Sequence, residues 1–211
     1  MPKFDLIIFD LDGTLVDSSL DLANSTNQML SEFDLPLHSV EKIKSFIGNG
    51  AKKLIERSLP KDSEISVEKA LNRFQEVYKE KCLENTNFFP QVRETILQIS
   101  GIPLGVLSNK PDKFTKEIIR SLGLFDNFDF VYGADYFGLL KPNPELIEKI
   151  KGDAKNILYV GDSIVDLTFA QNSKVSSCIV TYGLGNLEEI RKLEPDFLID
   201  DFEELLKILD L

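Results

Sequence analysis

The chain has 211 residues, with 24 Lys plus Arg against 35 Asp plus Glu and a formal net charge of −11. Phosphate backbones and anionic membrane surfaces repel such a molecule, so neither nucleic acid nor a membrane is an expected partner. At 43% hydrophobic and 28% charged it has the composition of a folded globular protein, and no apolar run approaches the ~20 residues of a membrane span. The only cysteines are Cys82 and Cys178 and the only histidine is His38. They cannot supply a disulfide framework or a structural zinc site, and His38 reads as a surface residue at a helix start. Met1 to Asp5 is unlike a signal peptide, and the expected compartment is a reducing cytoplasm.

In chain order, residues 4–9 form an apolar run too short for a helix, closed by the polar cluster Asp10 to Thr14, which predicts a buried strand ending in a turn. From about 15 to 89 no strand is expected. Helices are predicted over 17–33, 40–47 and 51–58, with Gly48-Asn49-Gly50 interrupting the last two. In Val67, Ala70, Leu71, Phe74, Val77 and Tyr78 apolar residues recur on one face of a further long helix. Residues 85–90 read as a hinge. Beyond it, apolar runs at 102–107, 128–132, 157–160, 177–181 and 197–199 alternate with helical patterns at 113–122, 144–151, 165–171 and 202–209. The last of these is opened by a capping-box-like Asp201 and Glu204. That alternation predicts an α/β fold, a Rossmann-like parallel sheet core (1–14 and 90–211) with an inserted all-helical cap (15–89). The acidity belongs mostly to the core. Residues 15–89 hold 10 basic and 12 acidic residues, while 188–211 alone hold 9 acids and 3 bases.

Ligands of open parallel sheets bind at the carboxyl ends of the strands. The segments at those ends are Asp10-Leu11-Asp12-Gly13-Thr14, Ser108-Asn109-Lys110, Lys141-Pro142-Asn143-Pro144 and Gly161-Asp162-Ser163-Ile164-Val165-Asp166. Singly, each has an ordinary alternative. Asp12-Gly13 is a common turn, Ser108 a helix N-cap, Lys141 a solvated lysine, and Gly161-Asp162 a strand end that caps a helix. An EF-hand is excluded, because the glycine falls at loop position 4 and position 12 is Asp21. Together they bring Asp10, Asp12, Asp162 and Asp166 to one crevice. Two like charges 4 Å apart repel by about 4 kcal/mol at an effective dielectric of 20, so a cation is required among them. With only oxygen ligands, Mg²⁺ fits, and Ser108 with Lys141 supplies donors to a phosphoryl group.

These four segments, in this order, resemble the motifs of the haloacid dehalogenase-like superfamily of Mg²⁺-dependent phosphatases. The resemblance implies that Asp10 is the nucleophile and Asp12 the general acid and base, and that Ser108 and Lys141 hold the phosphoryl oxygens. It further implies that Asp10, the main-chain carbonyl of Asp12 and Asp162 ligate Mg²⁺, with Asp166 ligating through water or bracing the others. Asp12 favours a phosphate ester over an alkyl halide as the substrate, because only the ester's leaving oxygen needs a proton. Ser108-Asn109-Lys110-Pro111, Lys141-Pro142-Asn143-Pro144 and Gly48-Asn49-Gly50 look most like phosphoglycolate phosphatases, although Gln91 stands where those enzymes usually carry glycine. The expected substrate is a small phosphorylated metabolite. A phosphomutase acting on a sugar phosphate, a pyrophosphatase, a nucleotide phosphatase and a non-catalytic phosphate-binding module are the alternatives on the same core. Thr14, Asn109, Lys110, Gly48, Asn49 and Gly50 are expected at the substrate, Gly48-Asn49-Gly50 by lying over the site unless it is an ordinary interhelix turn. Lys52, Lys53, Arg57 and Lys110 are candidate contacts to an anionic leaving group.

Overall fold

In the computed structural model, which describes residues 3–211, the first apolar run becomes strand β1 (Leu6–Phe9). Met1 and Pro2, included in the predicted core, lie outside the described residues. Along β1, Ile7 and Phe9 join one apolar cluster and Leu6 and Ile8 another, so the strand is buried on both faces, as its unbroken apolar run requires. The chain continues through β2 (Val16–Asp17), α1 (Ser19–Glu32), α2 (Val40–Lys44), α3 (Ala51–Ser58), α4 (Val67–Lys81) and β3 (Asn87–Phe88). It then forms α5 (Val92–Gln98), β4 (Leu104–Leu107), α6 (Asp112–Ser121), β5 (Phe130–Tyr132), α7 (Glu145–Ile150) and β6 (Ile157–Gly161). The last elements are α8 (Ile164–Ser173), β7 (Ser176–Val180), α9 (Leu187–Lys192), β8 (Phe197–Ile199) and α10 (Glu204–Ile208).

The main sheet has the order β5-β4-β1-β6-β7-β8, with every neighbouring pair parallel. Counted along the chain this is the Rossmann order 3-2-1-4-5-6, whose switch point falls between β1 and β6. Residues of α5, α6 and α10 cover one face, and residues of α7 and α8 the other. A separate apolar cluster unites α1 to α4, and one side chain from the sheet side, Phe114 of α6, enters it. Ala70, Phe74, Val77 and Tyr78 of the predicted α4 face are buried.

Two expectations are corrected. The helical stretch is bounded by a small antiparallel pair, Val16 with Phe88 and Asp17 with Asn87. Two-residue strands carry no periodic signal, and they form because the chain leaves and re-enters the sheet side by side. Helices α5 and α9 have no counterpart among the predicted helical patterns: α5 is a short helix of seven residues, and α9 buries only Ile190 and so shows no apolar face. At α10, Glu204 accepts from the Asp201 N–H at 3.1 Å, while the reciprocal Asp201 side-chain cap is not made. His38 does precede a helix, but it is half-buried, with Nε2 2.8 Å from the Ser58 carbonyl and its backbone held by Asn27.

Candidate active site

The switch point places Asp10 immediately after β1 and Asp162 immediately after β6, on adjacent strands. Asp166 arrives from the first turn of α8. There it closes a capping box, in which the Ser163 side chain accepts from the Asp166 N–H while Asp166 Oδ2 accepts from the Ser163 N–H at 3.1 Å. One carboxylate oxygen from each of Asp10, Asp162 and Asp166 lies within 4.8 Å of the others. Lys141, from the loop before α7, is buried rather than solvated. Its Nζ stands 2.9 Å from Asp10 Oδ1 and 2.7 Å from both Asp166 Oδ1 and the Tyr159 hydroxyl.

Burial pushes the Asp10 carboxyl up to about 6 against the pull of Lys141. Burial, reinforced by Asp166 and Asp10, holds Asp162 well above the usual carboxylate range. For Lys141 burial favours the neutral amine, but Asp10 and Asp166 outweigh it and raise the group above an ordinary lysine. Asp10 Oδ1 is buried and, although beside Lys141, makes no hydrogen bond. A buried carboxylate oxygen with a lone pair free, next to two more carboxylates, is a donor set for a hard divalent cation such as Mg²⁺. The residues present fit that ion.

Asp12 turns elsewhere. Both of its oxygens accept from Lys110 Nζ at 3.0 Å, and Oδ1 also accepts from the Ser18 hydroxyl. Its side chain therefore stands outside the carboxylate trio, leaving the main-chain carbonyl as its only route to a metal. Lys110 is buried and held above the ordinary lysine range, burial being outweighed by Asp12 and Tyr78. Ser108, just past β4, caps no helix; its Oγ accepts from the Lys110 N–H at 3.3 Å.

Asp10, Asp12, Ser108, Asn109 and Lys110 line a cavity of about 40 Å³, room for about three water molecules. Its other walls are apolar, including Leu22 of α1, Leu54 of α3, Phe74 and Tyr78 of α4 and Phe114 of α6, and Gly48 and Gly50 close it. Asn109 donates to the Gly48 carbonyl and to the Lys141 carbonyl, both at 3.1 Å, and accepts from the Lys141 N–H at 2.8 Å. It thus ties the glycine loop to the Lys141 loop. Thr14 is fully buried and donates to Asp162 Oδ1 at 3.3 Å, away from the cavity lining. Asn49 is also absent from the lining and accepts from Arg57 Nη2 at 2.7 Å, so Arg57 braces the loop. Lys52 and Lys53 are exposed, and Lys53 pairs with Glu56. Of the four candidate cations only Lys110 reaches the cavity.

Three groups escape the sequence argument. Tyr78 reads there as one more residue of an apolar face. Gly183 and Gly185 crowd Asp162, and the Leu184 N–H between them donates to Asp162 Oδ2 at 2.7 Å. The spacing Gly183-Leu184-Gly185 after a strand is the signal that could have found them.

The model of the haloacid dehalogenase-like hydrolase family matches residues 7–180. The chain is 36% identical to a phosphoglycolate phosphatase of Vibrio parahaemolyticus, over 97% of this chain and 95% of that one. It is 35% identical to one from Haemophilus influenzae, over 98% and 99% respectively. A crystal structure of a predicted phosphoglycolate phosphatase from Haemophilus somnus superimposes with a TM-score of 0.91 at 32% identity, covering 99% of each chain.

Proposed function

The chain belongs to the haloacid dehalogenase-like hydrolases, and from that membership we propose that it is a Mg²⁺-dependent phosphatase acting on a small phosphomonoester, 2-phosphoglycolate, through a phosphoryl-enzyme at Asp10. The observation that carries this is the buried trio Asp10, Asp162 and Asp166 with Lys141, at the sheet edge beside a cavity that also exposes Asp12 and Ser108. The names of the full-length relatives support the substrate.

An Asp10 carboxylate oxygen attacks phosphorus as the bond to the alcohol oxygen breaks, and Asp12 gives that oxygen a proton. Asp12 then takes a proton from a water that attacks the aspartyl-phosphate, releasing phosphate and restoring Asp10. The Ser108 hydroxyl and the Lys141 ammonium donate to the phosphoryl oxygens and stabilise the charge that develops there. Asp10, Asp162 and the Asp12 carbonyl would hold Mg²⁺, with Asp166, whose oxygens already accept from Lys141 and Ser163, as their brace. Bound there, Mg²⁺ supplies charge neutralisation for the phosphoryl group and keeps the carboxylates ionised.

Residues 15–89 act as a cap that opens about 85–90 to admit substrate and excludes water when the glycine loop rests on Asn109. The two buried free thiols and the absence, among the described residues, of a helix able to cross a membrane are compatible with work in the cytoplasm. The test is Asp10→Asn. Phosphate release from 2-phosphoglycolate should fall at least about a thousandfold, with a melting temperature at or above wild type. Mg²⁺ at a hundredfold excess over its dissociation constant should stabilise the wild type by about 2.7 kcal/mol. Retained turnover in the variant would remove Asp10 from the nucleophile's role.

A further inference from the structure

Tyr78 is almost completely buried, and its ring is fixed by Phe74, stacked at 5.5 Å, and by Phe114, edge-on at 5.0 Å. It lines the cavity, yet its hydroxyl has no hydrogen-bond partner. A buried hydroxyl left unpaired calls for an explanation, because burial strips it of water without compensation. Lys110 Nζ lies 4.7 Å from the same ring, and its contacts to Asp12 leave at least one N–H unused. Among the described residues Lys110 is also the only cation lining the cavity.

The cavity therefore offers two donors close together, while the acceptors that line it are already engaged by protein donors or assigned to the phosphoryl group. Both Asp12 oxygens accept from Lys110 Nζ, Ser108 Oγ from the Lys110 N–H and Asn109 Oδ1 from the Lys141 N–H. The carbonyls of Gly48 and Gly50 accept from Asn109 and the Leu54 N–H, and the other walls, apart from the nucleophile Asp10, are apolar. A polyol needs acceptors for its hydroxyls, whereas a carboxylate only accepts and carries the charge that a buried ammonium favours. We propose that the Tyr78 hydroxyl and the Lys110 ammonium receive a carboxylate carried by the leaving alcohol, so that the site selects phosphomonoesters of hydroxy acids two or three carbons long. This rests on the phosphatase assignment and supplies its specificity residues.

The experiment compares 2-phosphoglycolate with 2-hydroxyethyl phosphate, a neutral ester of similar size, on the wild type, Tyr78→Phe and Lys110→Met. Wild type should favour the carboxylate ester by at least about a hundredfold in kcat/KM. Tyr78→Phe should cut that preference about tenfold, through a higher KM for 2-phosphoglycolate, because the carboxylate is held in ground and transition states alike. Its melting temperature should match wild type, since the hydroxyl it removes has no protein partner. Lys110→Met should erode the preference further. If wild type hydrolyses both esters equally well, or if Tyr78→Phe slows both alike, the carboxylate site is overturned while the phosphatase assignment stands. Failure of wild type to release phosphate from either ester would remove both.

Discussion

A β-carbon on Gly183 would lie 2.2 Å from Asp162 Cβ and 2.5 Å from the Gly13 carbonyl oxygen, closer than atoms can pack. Gly13 has φ +86, and its own β-carbon would fall 2.2 Å from Asp162 Oδ2. Asp162 is thus set by backbone walls, with the Leu184 N–H and the Thr14 hydroxyl as its donors. Overpacking of this kind costs ~1–3 kcal/mol, so Gly183→Ala should lower the melting temperature by a few degrees. It should also weaken stabilisation by Mg²⁺ in a thermal titration, because the displaced carboxylate is one of the trio; an unchanged Mg²⁺ response would show that the wall does not position Asp162. The carboxylates were legible in the sequence because charged groups at strand ends stand out against apolar runs. The role of the glycines that confine Asp162 was not, since the spacing Gly183-Leu184-Gly185 marks a turn after a strand but not which carboxylate, 21 positions away, it walls in. Gln91 departs from the glycine expected of similar enzymes, and the structure shows why glycine suits the position: its φ is +64, in the left-handed region.

At the scale of elements, α1 is bound to the strand that ends the cap by one fully buried carboxylate. Asp21 accepts from the N–H and the side-chain amide of Asn85 at 3.0 and 2.8 Å, and from the N–H and hydroxyl of Thr86 at 2.9 and 2.7 Å. The sequence marks Asp21 only as a residue that disqualifies a calcium loop, yet it fixes where the chain turns back into β3. Asp21→Ala leaves those donors buried without an acceptor and should cost about 3 kcal/mol, read from the urea midpoint at unchanged m-value. A loss below about 0.5 kcal/mol would mean that the β2–β3 pair holds the junction alone. The helices joined here were legible from the α4 periodicity. The two-residue strands were not, because pairing depends on two chain ends meeting.

The whole molecule buries its two thiols in different apolar clusters, Cys82 among the α1 to α4 helices and Cys178 on strand β7 of the sheet. Burial pushes the Cys178 thiol up to about 12 and raises Cys82 above its ordinary value. At pH 8 both should resist alkylation by iodoacetamide until urea unfolds the segment that holds them, and Cys82 reacting at lower urea would show the cap melting before the core. The pH dependence has a definite sign. Above about 9, the ordinary thiol value, the unfolded chain releases the Cys178 proton while the folded one keeps it, so stability falls as pH rises from about 9 toward 12. Cys178→Ala should lack this alkaline loss, narrowing its stability gap to wild type across that range in urea melts; a gap constant with pH would contradict the shift. By itself the sequence determined the six strands of the main sheet, most of the helices and the order of the polar segments, because burial imposes a local periodicity and polar clusters end it. Only the tertiary structure decided that β6 lies beside β1, which gathers Asp10, Asp162 and Asp166 within 4.8 Å. It alone set Tyr78 of a helix face beside Lys110 of a strand end. Those meetings join residues 32 to 156 positions apart, and they depend on how the cap and sheet seat together, which no local pattern encodes.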